Sequence, residues 1–467
     1  MSETKKYQAY PEYKDSGVDL LGIIPKHWEA KRLKYVSPKI TVGVVVNPST
    51  FFDDDGEVPF LRGVDVSRDK VSTENVKKIN DIGNNLNSKS ILKEGDLVSI
   101  RVGYPGVTAV IPQELDGANC ASLLIIRKPS EITSRLLCYQ INTDIGRNQI
   151  KLLQQGAAQE QINVSDIVDF WVVCPPEDEA TNIQSFLDHE TAKIDTLIEK
   201  QQQLIKLLKE KRQALISHAV TKGLNPQVPM KDSGVEWLGE VPEHWDVLRL
   251  KHLIESLESG VSVNAADIPA RTDEVGVLKT SCVYTRTFRA EENKTVVPED
   301  LHRVKCPVRK GAIIISRMNT PELVGASALV TEDVSNVYLP DRLWQTNFNQ
   351  KVDLDSEYLA HFMTVEGFRV QISLAAEGAS SSMQNIAKED YLSINCLLPP
   401  LSEQQQIVQH IRQRLEYFSK LDSNANDAVN LLKERRTALI SAAVTGKIDV
   451  RNWQEPTHQD QTLEQTA

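Results

Sequence analysis

The sequence predicts an α/β (α+β) protein: two strand-rich modules related by pseudo-two-fold symmetry and separated by two long antiparallel helices that form a coiled-coil spacer. Three observations lead there. The chain is written twice, each copy closes on a long stretch free of proline and glycine, and the two stretches share one heptad register.

The duplication is read from its ends. Lys14-Asp15-Ser16-Gly17-Val18 returns as Lys231-Asp232-Ser233-Gly234-Val235. At the same spacing follow Leu21-Gly22 and Leu238-Gly239, Pro25 and Pro242, His27-Trp28 and His244-Trp245, then Arg32-Leu33-Lys34 and Arg249-Leu250-Lys251. Each copy closes alike, with Leu207-Leu208-Lys209-Glu210 answered by Leu431-Leu432-Lys433-Glu434, and Ala214-Leu215-Ile216-Ser217 by Ala438-Leu439-Ile440-Ser441. The middles differ, apart from an echo that aligns Gly95 with Gly311 and Arg101 with Arg317. A period of half the chain is a tandem duplication and not a solenoid. Alike ends with unlike middles describe a shared scaffold carrying two divergent surfaces. The divisions are residues 1–176 (first module with its lead-in), 177–222 (first helix), 223–400 (linker and second module), 401–446 (second helix) and 447–467, a polar tail expected to be disordered.

Each long helix is announced by a proline pair, Pro175-Pro176 or Pro399-Pro400, that ends the preceding strand. Ser402 and Gln405 have the capping-box spacing, with Ser402 as N-cap, and Asp178 stands at the equivalent place in the first copy. Gly223 and Gly446 supply C-terminal caps. Such a helix runs ~65 Å at 1.5 Å per residue. The heptad positions are Leu187, Ile194, Gln201, Leu208 and Leu215 in one copy and Ile411, Phe418, Ala425, Leu432 and Leu439 in the other. So narrow an apolar stripe requires a partner helix, and its own copy is at hand. Periodicity alone equally allows a coiled coil that serves dimerisation or a pair of core helices. Two divergent modules on a measured spacer suit a target in two parts.

Within the modules, Val58–Leu61, Asp96–Ile100 and Ala121–Ile126 read as short strands, as do Ala312–Ser316 and Ala326–Val330. Several strand ends deliver an arginine or an amide beside a Gly or Pro turn. Arginine can grip guanine O6 and N7 together, and asparagine can do the same to adenine, so these ends are candidates for contacting DNA. The candidates are Arg62, Arg101, Tyr104, Asn119, Lys279, Thr280, Tyr284, Arg286, Arg317, Asn319 and Arg342. The bland alternative for each arginine is a surface salt bridge or a phosphate contact. Residues matched between modules that read different sequences cannot discriminate bases, so Arg101 and Arg317 suit positioning, and the unmatched residues suit readout. The spacer contacts expected are Leu187, Ile194, Leu208, Leu215, Ile411, Phe418, Leu432 and Leu439.

Composition bounds the function. The formal net charge of −11 means that the chain as a whole is no basic DNA wrapper, so attraction to phosphate must come from local arginines or from a partner. No apolar run reaches the ~20 residues that span a bilayer, which implies no membrane partner. The N-terminus lacks a signal-peptide core. The six cysteines are scattered, which suits reduced thiols and a cytoplasmic protein. No metal is expected, because the nine histidines form no HxxH or HExxH. No Walker loop, no GxGxxG and no Asn-Pro-Pro-aromatic motif is present, so neither ATP nor S-adenosylmethionine chemistry is expected in this chain. His27-Trp28 and His244-Trp245 read as packing anchors.

Taken together, the chain resembles the specificity subunit of Type I restriction-modification systems over nearly its whole length. The resemblance rests on Gly378 to Ile386, on Leu398-Pro399-Pro400-Leu401-Ser402-Glu403-Gln404 and Ile407, on Leu431 to Thr445, and on the Pro-x-His-Trp motifs at 25–28 and 242–245. The first copy departs from it, with Glu177-Asp178-Glu179-Ala180 in place of Leu-Ser-Glu-Gln. The resemblance implies two target-recognition domains that each read half of an asymmetric, interrupted double-stranded DNA site, with the helices fixing the gap. It also implies two methyltransferase subunits that use S-adenosylmethionine and two restriction subunits that use ATP and Mg. A stand-alone DNA-binding adaptor or decoy on the same scaffold is the alternative. A self-contained methyltransferase or nuclease would need the missing motifs.

Overall fold

The computed structural model describes residues 7–154, 161–380 and 383–455. Residues 381 and 382 of the 378–386 block and residues 456–467 of the expected tail lie outside the described residues. The chain divides into two units, Met1–Gln202 with Asp427–Ala467, and Gln203–Asn426.

In the first unit a hairpin of Tyr13–Asp15 and Ile23–Pro25 leads in, and Glu29–Arg32 then pairs with Trp171–Cys174. The first and last strands of the module therefore lie side by side, directly before the long helix. Between them a four-stranded antiparallel sheet has the order Thr108–Val110, Leu97–Ser99, Leu124–Ile126, Ile40–Val42. A second sheet sets Asn119–Cys120 parallel to Val58–Leu61, with Lys77–Ile79 on its other side. Six helices are used below: α1 (Ser134–Asn142), α2 (Asp144–Leu153), α3 (Glu177–Lys222), α4 (Ser356–Phe362), α5 (Glu366–Ala375) and α6 (Leu401–Val444).

The second unit repeats this plan. Met230–Asp232 pairs with Glu240–Pro242, and Asp246–Arg249 with Asn395–Leu398. Its main sheet has the order Ile254–Glu258, Leu343–Phe348, Ile313–Ser316, Ser327–Leu329, and its second sheet again contains a parallel pair, Gly276–Leu278 with Val337–Tyr338.

The continuous apolar runs of the central strands follow from burial on both faces. Leu97, Leu124 and Ile126 face one core, while Val98, Ile125 and Ala109 face another. Ile313, Ile315 and Trp344 divide from Ile314, Leu343 and Ala328 in the same way in the second unit. Gly43 and Gly260 share a role that their neighbours in sequence conceal. A Cβ on Gly43 would lie 2.4 Å from the Cys120 carbonyl oxygen, and one on Gly260 only 1.6 Å from that of Leu339, so only glycine lets the chain cross there.

The helices complete both cores. Ile183, Phe186, Leu187 and Ile194 of α3 join Leu439, Ile440, Ala443 and Val444 of α6 in the first unit. Ile216, Ala219 and Val220 of α3 join Ile407, Val408 and Ile411 of α6 in the second. Within each unit the two segments run antiparallel. Asp195 meets Arg436 while Asn182 reaches the Arg451 carbonyl, and in the other unit Gly223 lies beside Glu403. Of the expected spacer contacts, Leu187, Ile194, Leu208, Ile411 and Leu439 are buried, and Leu215, Phe418 and Leu432 are half-buried. Gly223 and Gly446 follow the helix ends with φ of +76° and +71°, the left-handed conformation of a C-terminal cap.

The expected N-caps are corrected. α6 begins at Leu401, and the backbone N–H groups of Glu403 and Gln404 both donate to the Pro400 carbonyl. Ser402 therefore lies in the first turn, two positions past the N-cap, and Asp178 is likewise inside α3, which begins at Glu177. Residues 447–455, counted with the polar tail in the sequence, pack onto the first unit: Val450 is buried and Trp453 stacks edge-on against Phe186. Among the described residues no helix is long and apolar enough to cross a membrane, and all six cysteines are free thiols.

Candidate nucleic-acid interface

In the first unit, loops after two strands meet. Arg62 follows Val58–Leu61, and a Cβ on Gly63 would touch Ile100, which follows Leu97–Ser99. Beside this contact Val64 and Tyr104 stand 81% and 79% exposed, an unusual state for large apolar side chains and one that suits them to contact another surface. Arg62 is oriented by Asp65, which receives its Nε at 3.1 Å and its Nη2 at 3.2 Å. Arg101 donates Nη2 to Asn163 Oδ1 at 2.8 Å, while its buried Nε has no partner.

Asn119 is excluded from readout. It is fully buried, its amide donates to Asn84 Oδ1 and to the Asn87 carbonyl, and its own oxygen accepts from the Cys120 N–H. Both donors are committed inside the module, where the amide ties the parallel strand pair to the segment before it.

The second unit gathers its candidates more tightly. Lys279 and Thr280 follow Gly276–Leu278, and Asn319 lies in the short strand after Ile313–Ser316. Thr280 Oγ1 and Tyr284 Oη are 2.7 Å apart, and Asn319 Nδ2 donates to the same Oη at 2.7 Å and to Ser316 Oγ at 3.2 Å. Thr280 and Tyr284 need only one hydroxyl hydrogen between them. The other remains free to donate, at the end of a network held in place by buried Asn319. Lys279 pairs with Asp267 at 3.1 Å. The Arg317 N–H donates to the Arg342 carbonyl, so these two arginines sit on adjacent strand ends; Arg342 is exposed, and the buried Nε of Arg317 has no partner.

One residue escaped sequence reasoning. Arg369, on α5, lines a cleft of about 450 Å³ together with Arg286, Gln213, Thr364 and Ser373. Burial and the neighbouring Arg286 hold Arg369 down to about 10, and burial lowers Arg286 as well. Glu322 and Glu366 also line the cleft, yet among the described residues no carboxylate forms an ion pair with either arginine. Arg369 Nη2 donates to the Glu322 carbonyl at 3.1 Å, and its Nη1 is buried without a partner. Two partly desolvated guanidiniums with no acidic partner among the described residues make this cleft a candidate anion site. The signal was present in sequence, since Arg147, Gln149 and Ile150 match Arg369, Gln371 and Ile372, but Arg147 is neutralised by Asp144.

The Pro-x-His-Trp motifs also acquire a partner. His27 Nε2 lies 2.7 Å from Glu179, and His244 Nε2 lies 2.7 Å from Glu403. Both glutamates are in the first turn of a long helix. Tyr10 donates to Glu179 in the first unit, and Trp245 Nε1 donates to Glu403 at 3.1 Å in the second. Gln404, fully buried, accepts from the Asp355 N–H and donates to the Asp353 and Pro399 carbonyls. In Leu-Ser-Glu-Gln the glutamate thus latches the lead-in and the glutamine latches the loop before α4.

No family model matches the chain. Among curated relatives, the Type I restriction enzyme EcoKI specificity subunit of Escherichia coli (strain K12) is 23% identical over 454 residues, 91% of this chain and 90% of the relative. The MjaVIII specificity subunit of Methanocaldococcus jannaschii is 21% identical over 439 residues, 92% and 95% of the two chains. Over nearly its whole length the chain is thus similar to Type I restriction specificity subunits. A further specificity subunit, EcoEI of Escherichia coli, is 24% identical over 243 residues, and that match spans only 40% of the relative's length. Solved structures from type I R-M systems share the fold. A chain from a study of assembly and conformational transition of the type I R-M system superposes with a TM-score of 0.66 at 16% identity, covering 91% of this chain and 99% of that one. The HsdS subunit of Thermoanaerobacter tengcongensis gives 0.50 at 16% identity, covering 91% and 98%. What the chain shares with these structures is the fold of mixed sheets and two long helices.

Proposed function

We propose that this chain is a specificity subunit that reads an asymmetric, interrupted double-stranded DNA site, each module taking one half, and carries out no chemistry itself. The observation that carries the reading is the repeated sheet topology with different side chains at equivalent strand ends. Arg62-Gly63-Val64 stands in one module where Lys279-Thr280-Ser281 stands in the other. One scaffold presented twice with different loop chemistry is what recognition of two unlike half-sites demands.

The helices α3 and α6 would fix the gap between the half-sites. The scaffold shared by the two copies would dock two methyltransferase subunits, which bring S-adenosylmethionine, and two restriction subunits, which bring ATP and Mg, in the cytoplasm. Neither cofactor has a motif in this chain. Partners that bind the same duplex would supply the positive charge that the chain lacks overall.

The test is module exchange. Replacing residues 37–155 by the corresponding segment of another specificity subunit should change one half of the methylated site in cells that express the methyltransferase partner. Altered recognition of both halves would refute the division of labour, and methyl transfer to DNA by the purified chain alone would refute its non-catalytic role.

A further inference from the structure

The duplication aligns the surfaces on which each recognition module rests against its own helix, and the charges there are inverted. In the first unit Arg135, the second residue of α1, donates Nε to Asp188 of α3 at 3.0 Å. Tyr139, one turn later, donates to the same carboxylate at 2.7 Å. In the second unit Glu357, the second residue of α4, accepts Nε of Arg412 of α6 at 2.7 Å and a second bond from its Nη2. His361, one turn later, lies 3.8 Å from Glu357.

The alignment is fixed independently of these residues. Ser134 matches Ser356, Leu137 matches Leu359, Gln149-Ile150 matches Gln371-Ile372, and the capping side chains Thr133 and Asp355 stand at the same spacing. On the helices, Glu179 and Glu403 fix the register that aligns Asp188 with Arg412.

A third position follows suit. Asp69 and Arg286 occupy the same place after the Val58–Leu61 and Gly276–Leu278 strands, and both are left-handed, with φ of +66° and +62°. Asp69 accepts Arg436 Nη2 at 3.1 Å, and the same guanidinium donates to Asp195 of α3 at 3.0 Å. Arg286 has no acidic partner among the described residues, and Ser419 stands on α6 where Asp195 stands on α3. The first module therefore offers plus at Arg135 and minus at Asp69, and the second offers minus at Glu357 and plus at Arg286.

We propose that this reversed polarity distinguishes the two seats: α3 accepts a module whose seating helix is basic at the Arg135 position, and α6 one whose seating helix is acidic at the Glu357 position. A module moved unaltered to the other seat would set Glu357 against Asp188, or Arg135 against Arg412. Like charges at such a partly buried contact repel and lose their hydrogen bonds together. The restriction falls on exchange between the two positions of one chain, whereas exchange between equivalent positions of two chains remains free wherever the polarity agrees. The proposal rests on the duplicated fold and not on what the modules bind.

The test is a charge-swap cycle in the full-length chain, read by amide hydrogen exchange in α1 and in residues 182–195. Arg135→Glu should speed exchange there on the order of threefold, the scale of a partly exposed ion pair, and adding Asp188→Arg should restore it. Glu357→Arg and Arg412→Glu should behave alike in α4. A graft of residues 254–376 in place of 40–154 should protect the first seat only when Asp188→Arg is also present. Should that graft not fold, the Arg135/Asp188 cycle decides alone. Unchanged exchange in the single variants, or a double variant no better than the singles, would overturn the proposal.

Discussion

Glu403 accepts hydrogen bonds from both rings of the His244-Trp245 pair, so the first turn of α6 closes on the lead-in of the module that precedes it. Removing the carboxylate leaves the indole N–H of fully buried Trp245 without an acceptor. Glu403→Ala should lower stability by about 1–3 kcal/mol, and Glu403→Gln, which keeps an acceptor, by less. The urea midpoint measures both, and equal midpoints for wild type and Glu403→Ala would contradict this role.

Glu357 gives stability a defined pH dependence. Burial alone would raise its pKa, but Arg412 and His361 override burial and hold it at about 2, against an ordinary 4.5. Because the folded value is the lower one, the contribution is complete above 4.5 and is lost as pH falls towards 2. The difference in melting temperature between wild type and Glu357→Gln should therefore be constant near neutrality and shrink below 4.5. A difference that does not vary with pH would contradict the pairing.

Arg286 and Arg369 should each act as a phosphate contact. On a random-sequence duplex, Arg369→Gln and Arg286→Gln should each reduce the slope of log K against log salt by about 1. Fluorescence anisotropy over a salt series supplies the slopes. Weaker binding with an unchanged slope would assign the pair a structural role instead.

Shortening α3 by one heptad removes about 10 Å of helix, roughly three base-pair steps. The methylated site should then retain both half-sequences while its gap shortens. Altered half-site bases with the gap unchanged would run against the spacer reading.

Much of this architecture was legible because it depends on local signals. The proline pairs and Gly223 and Gly446 bracket α3 and α6, and the apolar run at 313–315 marks a strand buried on both faces. What escaped depends on contacts distant in sequence. His27 and Glu179 are 152 residues apart, and the Leu-Ser-Glu-Gln segment looked like a capping box because its true partners are remote. Asn119 failed as a reader for the same reason, since an amide in a strand shows nothing of the neighbours that occupy it. Arg369 was hidden in an amphipathic helix, where an arginine ordinarily marks a solvated face.

The first unit draws Leu439, Ile440, Ala443, Val444 and Val450 into the same core as Tyr10 and Trp28, and Tyr13 donates to the Gly446 carbonyl. The lead-in thus waits for a partner made 433 residues after it. Until residues 439–450 are made, Ile183, Phe186 and Leu187 lack the apolar cover that this segment supplies, so a message truncated within α6 releases a polypeptide whose first module is unfinished and open to aggregation.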